Sequence, residues 1–298
     1  MHERLRTQSG ERLPNFIGIG GQRCGSTSLW YQLRGDDRLF LPEQKELHYF
    51  SDRDGDYQSN LENYGRYFEG ALSEQCVGEF TPNYLTSAGA CRRIERHLPE
   101  VKLIVVLRDP VERAISHYNY RVMRGQESRP IGRATRADMK RCVGGDEVTH
   151  LYHAYCQMGL YSSGLGRYLR AFGKDQLLVL FTDDLKSDPD AVRERVGFFL
   201  GLGSALTGDR DEGIANQIVT YPRIRMAEVG AKRVLRRWRA SDAVAARAMC
   251  GLARRVHRIN SKPGTPKAPE RVVDELRAFY REDTAVLGEK LGAQVPWA

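Results

Sequence analysis

The sequence lacks several features that would each assign a protein to a class. It has no run of about 18 apolar residues, so we expect no membrane-spanning helix. The opening stretch MHERLRTQSGERL has no apolar core of the kind that a secretory signal needs. The six cysteines are scattered without a C-x2-C pair, which argues against a zinc site and against a disulfide framework. These absences predict a metal-free protein of a reducing cytoplasm.

What is present is the composition of a globular protein with one unusual segment. A chain of 298 residues is long enough to bury a substantial core. Its 41% hydrophobic and 28% charged residues are ordinary values for a globular protein. The net charge is +8, and residues 221–260 alone hold eleven Lys or Arg against two Asp or Glu. This basic segment is consistent with a lid that attracts an anionic ligand, a peripheral membrane contact, a nucleic-acid patch or a solvated helix face.

Apolar runs alternate with amphipathic segments along most of the chain. The clearest strand is Val101–Leu107, whose nearly continuous apolar character is typical of a strand covered on both faces. Helices are predicted over Tyr152–Met158, after an Asp188-Pro189 cap and after Pro269. The alternation predicts an α/β protein, a P-loop-like three-layer α/β/α fold with a central, mostly parallel sheet. We predict a single domain over residues 1–298, with a loose lead-in at 1–14 and a variable, basic helical lid or insertion at 205–260.

A strand, a glycine-rich turn and a hydroxyl-rich helix start follow one another in FIGIGGQRCGSTSLW, Phe16–Trp30. Main-chain N–H groups and the dipole at such a helix N-terminus attract phosphate. Gly20 and Gly25 have the G-x4-G spacing of a Walker A loop, but Ser26 stands where that loop needs Lys. A Rossmann fingerprint would need a third glycine at the position of Arg23. The stretch therefore predicts a phosphate loop that does not belong to a magnesium-dependent NTPase.

Two later stretches have a composition suited to a reactive site. Lys45–Phe50, KELHYF, brings a lysine, a carboxylate and an imidazole together with two aromatic rings. Arg108, Asp109 and Pro110 follow the clearest strand, and proline at that point predicts a helix start with Asp109 as its N-cap. Ser116 would lie in the second turn of that helix.

In this order and at these spacings, the three stretches RCGST at 23–27, KELHYF at 45–50 and RDPVERAIS at 108–116 resemble the PAPS-dependent sulfotransferases. The heparan sulfate 3-O- and N-sulfotransferase branch and its bacterial relatives are the most similar, and the likeness spans about 14–200 and 262–297. The resemblance implies metal-independent, in-line transfer of a sulfuryl group from PAPS, with adenosine 3′,5′-bisphosphate as product. The expected acceptor is a hydroxyl, with an amine as second choice, of a small molecule, glycolipid or saccharide.

The resemblance also implies roles for individual residues. Glu46 is expected to be the general base, with Lys45 and His48 tuning it or contacting the acceptor. Arg23, where the family usually has Lys, is expected to contact the transferring group, and Cys24 replaces a Ser, Thr or Gly. The remaining residues that the resemblance assigns to the cofactor are Cys24, Gly25, Ser26, Thr27 and Ser28 at the 5′-phosphate, Arg108 and Ser116 at the 3′-phosphate, and Lys262 in a closing loop.

Two other functions stay open at this point. A P-loop-type kinase of a small molecule or nucleotide is supported by the fold class and the G-x4-G spacing, and is opposed by the missing Lys. A non-catalytic nucleic-acid-binding protein would use residues 221–260 and would leave the three anion-binding stretches unexplained. We therefore expect a cytoplasmic enzyme with a small-molecule or saccharide acceptor and no nucleic-acid partner.

Overall fold

The computed structural model of the chain describes residues 6–7, 10–51, 61–73, 75–143, 153–207, 217–219, 222–227, 229, 260–264 and 267–298. The chain divides into two compact units. The first unit comprises Met1–Asp109, Leu160–Gly213 and Arg281–Ala298, and the second comprises Pro110–Gly159 and Ile214–Tyr280. The single domain expected over 1–298 stays a prediction.

A five-stranded parallel sheet forms the centre of the first unit, with strand order β2-β3-β1-β4-β5. Its strands are β1 (Phe16–Gly20), β2 (Leu39–Phe40), β3 (Cys76–Phe80), β4 (Lys102–Leu107) and β5 (Leu177–Phe181). Every residue of β1, and every residue of β4 after Lys102, is buried, so both faces of the sheet are covered. This confirms the predicted three-layer α/β fold with a parallel sheet.

Apart from residues 222–227 and 229, which are also helical, the helices of the described residues follow the expected alternation with strands. In chain order they are α1 (Ser26–Arg34), α2 (Leu61–Gly65), α3 (Ala88–His97), α4 (Pro110–Met123), α5 (Ile131–Val143), α6 (Tyr161–Phe172), α7 (Thr182–Ser187), α8 (Pro189–Leu200) and α9 (Glu270–Leu291). The predicted cap of α8 is confirmed, because the Asp188 carboxylate accepts the N–H of Ala191 at 3.0 Å. The last helix begins where Pro269 predicted it and buries its apolar face, including Leu276.

The second unit contains α4, α5, the first half of α9 and a two-stranded antiparallel ribbon of β6 (Gln217–Val219) and β7 (Ser261–Pro263). The sequence predicted a helix over Tyr152–Met158, and this is wrong for the described part of that range. The buried Asp138 carboxylate accepts the N–H groups of Cys156 and Gln157 at 2.5 and 3.1 Å, so these groups are not available to a helix. A short 3-10 turn, Gln157–Gly159, forms instead.

The basic segment is described only in part. Residues 222–227 are helical, whereas 230–259 lie outside the described residues, so the lid and the membrane contact expected there stay predictions. Within the described ranges, none of the helices combines the length and the apolar character that crossing a membrane requires.

Candidate active site

The β1–α1 loop, Gly21 to Gly25, joins the carboxyl end of β1 to the N-terminus of α1. The Gly21 N–H donates to the Val106 carbonyl of β4 at 2.7 Å, which ties the start of the loop to the neighbouring strand. Gly25 has a φ of 98°, a left-handed conformation that glycine adopts without strain, and it has no side chain with which to cap α1. By helix geometry the N–H groups of Ser26 and Thr27 have no acceptor within α1, so the loop presents donors suited to an anion.

The loop is also held from behind. Cys24 is fully buried, and its Sγ lies 3.4 Å from the hydroxyl of Tyr161 at the start of α6. The Thr182 hydroxyl at the start of α7 lies within hydrogen-bond distance of the carbonyl oxygens of Cys24, at 2.6 Å, and Leu107, at 3.1 Å. The Tyr161 hydroxyl also donates to the Arg108 carbonyl at 3.0 Å. These contacts join the loop to the ends of β4 and β5.

In the Lys45–Phe50 loop, the Glu46 carboxylate lies between two side chains that can carry positive charge. Lys45 Nζ is 3.2 Å from Oε1 of Glu46, and His48 Nε2 is 3.6 Å from Oε2. The hydrogen bond from His48, followed by the charge of Lys45, lowers the pKa of Glu46 to about 2 in spite of partial burial. Since 42% of its side chain is exposed, Glu46 is an ionised carboxylate that a ligand can reach.

The backbone of this loop is held in an unusual conformation. Glu46 and His48 have φ values of 64° and 57°, which non-glycine residues keep only where neighbouring groups hold them. The Glu46 N–H donates to the Phe80 carbonyl at 3.0 Å, and the His48 N–H donates to Oγ1 of Thr81 at 3.3 Å. The loop geometry is therefore set by the carboxyl end of β3, more than thirty residues away in sequence.

A buried carboxyl group, Glu79 of β3, lies beneath the same loop. It is 1% exposed, and burial raises its pKa to about 7 although hydroxyl groups of Thr81 and Tyr64 hydrogen bond to it. Its charge and that of Glu46 raise the pKa of Lys45, but burial of the Lys45 ammonium outweighs them and lowers it. The sequence assigned no role to Glu79, although an acid inside the otherwise apolar strand CVGEF is a signal of one.

The parallel sheet brings the first-unit residues of the expected site to one edge. The residues of the β1–α1 loop follow β1, Glu46 and His48 are bonded to the end of β3, and Arg108 follows β4. Carboxyl ends of parallel strands share an edge, which is where ligands bind in open α/β sheets. In the second unit, Ser116 lies in α4 with 9% of its surface exposed, and Lys262 lies in β7. Among the described residues, no group of three or more His, Cys, Asp or Glu side chains could hold a metal ion.

The sequence and the fold of this chain are similar to those of known sulfotransferases. A family model described as a sulfotransferase domain matches residues 92–223. The chain is 28% identical to heparan sulfate glucosamine 3-O-sulfotransferase 6 of Mus musculus over 96% of this chain and 74% of that protein. It is 31% identical to heparan sulfate glucosamine 3-O-sulfotransferase 3A1 of the same species, over 76% of this chain and 55% of that protein. A solved sulfotransferase from Alicyclobacillus acidocaldarius shares the fold with a TM-score of 0.68 at 24% identity, covering 95% of this chain and 97% of the other.

Coverage of the curated relatives is uneven. The chain spans 74% of the length of the first of these mouse relatives, 55% of the second, and 23% of a membrane-associated sulfotransferase of Dictyostelium discoideum. The similarity to the solved structure concerns the whole fold, whereas the family model concerns the segment from α3 to the start of the basic segment.

Proposed function

We propose that this chain, which belongs to the PAPS-dependent sulfotransferase family, transfers a sulfuryl group from PAPS to a hydroxyl group of an acceptor. One observation carries the proposal: a helix N-terminus without a side-chain cap, which suits an anion, and the Glu46 carboxylate, with a pKa of about 2, lie at the same edge of a parallel sheet. Sulfuryl transfer by in-line displacement needs a site that holds a phosphosulfate and a base that takes the acceptor proton.

The β1–α1 loop fits the 5′-phosphosulfate end of PAPS. Its glycines allow close approach of the main chain, and the N–H groups of Ser26 and Thr27 offer donors to phosphate oxygens. Arg23 adds a positive charge in the same loop, and we assign it to the leaving phosphate and the sulfuryl oxygens. The buried thiol of Cys24 faces Tyr161, so we assign Cys24 a main-chain contact only. PAPS, when bound, supplies an activated sulfuryl group.

Glu46 is the proposed general base. Its low pKa keeps it ionised at any physiological pH, so it is always in the form that can accept a proton. A weak base suits a loose transition state, in which the acceptor hydroxyl becomes acidic late, as its oxygen bonds to sulfur. Lys45 and His48 fix the orientation of the carboxylate through its two oxygens. Arg23 meanwhile stabilises the charge that develops on the departing phosphate.

The contacts to the rest of the nucleotide remain proposals from the family pattern. Arg108 and Ser116 are assigned to the 3′-phosphate, Ser28 to the 5′-phosphate and Lys262 to a closing loop. The Arg108 assignment makes a selective prediction: Arg108→Ala should weaken binding of adenosine 3′,5′-bisphosphate far more than that of AMP, which lacks the 3′-phosphate. Calorimetry with the two nucleotides measures this, and an equal loss for both would contradict the assignment.

We propose the chemical class of the acceptor from the names of the relatives. Two relatives are named as sulfotransferases of heparan sulfate glucosamine, so we propose a saccharide hydroxyl first, then a glycolipid or another small molecule. We further propose a cytoplasmic location, independence from metal ions and no nucleic-acid partner. Residues 221–260, with their excess of Lys and Arg, would attract an anionic acceptor or a membrane surface that holds a lipid one.

A labelled-sulfate assay tests the function directly. The purified chain is incubated with PAPS carrying sulfur-35 and with panels of saccharides, glycolipids and hydroxylated small molecules, in the presence of EDTA. We expect label transfer to an acceptor with equal release of adenosine 3′,5′-bisphosphate. Transfer of phosphate from ATP that depends on magnesium would favour the kinase alternative. Failure to bind adenosine 3′,5′-bisphosphate would contradict the proposal as a whole.

A further inference from the structure

A buried hydrogen-bond network connects Glu79 to the loop that carries the proposed base. The Thr81 hydroxyl donates to Oε2 of Glu79 at 2.8 Å, and its oxygen, Oγ1, accepts the His48 N–H at 3.3 Å. The Tyr84 hydroxyl also hydrogen bonds to Glu79, and its oxygen accepts the Phe50 N–H at 3.1 Å. Two hydroxyl groups therefore lie between one carboxyl group and two main-chain donors of the Lys45–Phe50 loop.

The direction of these hydrogen bonds depends on the carboxyl group. A hydroxyl has one proton, so when Glu79 accepts it, the oxygen lone pairs are left to receive a loop N–H. A protonated Glu79 would instead donate to one of its partners, and the buried hydroxyl that accepts would have to send its own proton elsewhere. Glu79 and Thr81 are 1% and 0% exposed, so bulk water does not reach them to compensate.

The network acts on His48, whose imidazole orients the proposed base. His48 has a left-handed φ, and its Nε2 lies 3.6 Å from Glu46 while its Nδ1 lies 3.2 Å from Oγ of Ser51. A shift of the His48 main chain would move the imidazole that orients the base. The hydrogen bond from its N–H to Thr81 opposes such a shift.

We propose that Glu79 is a positioning residue for sulfuryl transfer: by orienting the Thr81 and Tyr84 hydroxyls, it holds His48, and through it Glu46, in the reactive arrangement. Glu79 itself is buried and does not touch the substrate. This inference rests on the proposed function, because it gives the buried acid a role only where Glu46 is the base.

The network has a consequence for pH dependence. The groups that face Glu79 are the hydroxyls of Thr81, Tyr64 and Tyr84 and the charges of Lys45 and His48. Burial raises the pKa of Glu79 to about 7, so the carboxyl loses its charge as the pH falls through neutrality. Glu46 has a pKa of about 2 and stays ionised over that range. We therefore expect turnover to fall below about pH 7 because Glu79, and not the base, becomes protonated.

Variants of Thr81 provide the sharpest test. Thr81→Val keeps the shape and removes the hydroxyl, and Thr81→Ser restores the hydroxyl. Thr86→Val is the control, because the Thr86 hydroxyl donates to the nearby Asn83 carbonyl and not to the Lys45–Phe50 loop, as far as the described residues show. We expect Thr81→Val to lower kcat by about tenfold or more and to speed amide exchange of His48 by about tenfold, the effect of losing one hydrogen bond. Thr81→Ser and Thr86→Val should keep both values close to the wild type, and affinity for adenosine 3′,5′-bisphosphate should be unchanged in all three.

The pH profile separates positioning from simple stabilisation. The wild-type kcat should show an acid limb near pH 7, and Glu79→Gln should show a low kcat without that limb. The inference is overturned by Thr81→Val with wild-type kcat and wild-type His48 exchange, or by Glu79→Gln that keeps the acid limb. If the wild-type chain transfers no sulfuryl group from PAPS, the proposed function fails on its own. The amide exchange of His48 still decides whether Thr81 holds the loop, since it needs no PAPS chemistry.

Discussion

The two loops of the candidate active site are built in different ways. The β1–α1 loop is held mainly through its main chain, with the Gly21 N–H on β4 and the Cys24 carbonyl on the Thr182 hydroxyl. The Lys45–Phe50 loop is also anchored through its main-chain N–H groups, but the groups that it presents are side chains that carry charge or exchange protons, above all Glu46 and His48. Peptide groups do not titrate near neutral pH. The charge of a site made of carboxyl, imidazole and ammonium groups changes whenever one of these groups gains or loses a proton.

This difference predicts how each loop tolerates substitution. In the β1–α1 loop a side chain that makes no proposed contact with the ligand, such as that of Cys24, can be exchanged if the backbone geometry survives. In the Lys45–Phe50 loop, removal of one charge changes the protonation or orientation of its neighbours. Four substitutions test the contrast, in order of decreasing expected effect.

Glu46→Gln should have the largest effect, because it removes the proposed base and keeps the shape of the side chain. We expect kcat to fall by about 10²- to 10⁴-fold, the usual contribution of general base catalysis. Affinity for adenosine 3′,5′-bisphosphate should stay the same in calorimetry, since we assign the nucleotide to the β1–α1 loop. Glu43→Gln is the matched control: its side chain is 95% exposed and lies 4.0 Å from Arg34. Loss of nucleotide affinity in Glu46→Gln would contradict the assignment of the nucleotide to the β1–α1 loop and of the base to the Lys45–Phe50 loop.

Glu79→Gln should change the pH dependence of stability. The folded pKa of Glu79, about 7, is above its ordinary value of 4.5, so the folded state binds the proton more tightly than the unfolded state does. The stabilisation is complete below pH 4.5 and is lost as the pH rises through 7, a difference of about 3 kcal/mol. Urea unfolding at pH 5 and pH 8 should show that Glu79→Gln has lost this part of the wild-type difference. Identical differences in the two proteins would show that Glu79 is not protonated near neutrality.

Thr182→Val tests the anchor of the β1–α1 loop. The Thr182 hydroxyl lies within hydrogen-bond distance of the carbonyl oxygens of Cys24 and Leu107. Its loss leaves these buried acceptors without that donor, which should lower the free energy of unfolding by about 1–3 kcal/mol. We expect a lower melting temperature and about tenfold weaker binding of adenosine 3′,5′-bisphosphate, with kcat at saturation preserved. The control Thr135→Val removes a buried hydroxyl that bonds to its own helix at Ile131. Normal nucleotide affinity in Thr182→Val would show that the anchor does not shape the site.

Cys24→Ser should have the smallest effect. Its side chain is buried against the Tyr161 hydroxyl, and a serine there keeps a donor and an acceptor of similar size. We expect stability to change by less than about 1 kcal/mol and nucleotide affinity by less than about twofold. A change of affinity well beyond that would mean that the side chain at this position contacts the nucleotide. The β1–α1 loop would then also depend on a side chain, as the Lys45–Phe50 loop does.

Local patterns were sufficient for much of the fold. The apolar run before Arg108 predicted β4, and the Asp188-Pro189 pair predicted the start of α8, because both signals act within a few residues. The helix α5 was not predicted as one element, and the helix expected over Tyr152–Met158 was wrong. The N–H groups of Cys156 and Gln157 are instead taken by Asp138, a carboxylate eighteen and nineteen positions earlier, and such a partner is not visible in a local pattern.

The sequence by itself determined the alternation of strands and helices in most of the first unit, the glycine-rich turn before α1 and the residue types available for chemistry, because these follow from side-chain polarity and backbone freedom over short distances. Only the tertiary structure decided that the end of β3 holds Glu46 and His48 in left-handed conformations. It also decided that Glu79 is buried beneath them, with a pKa near neutrality. Those properties come from desolvation and hydrogen bonds between distant segments, which exist only once the parallel sheet has brought its strand ends to one edge.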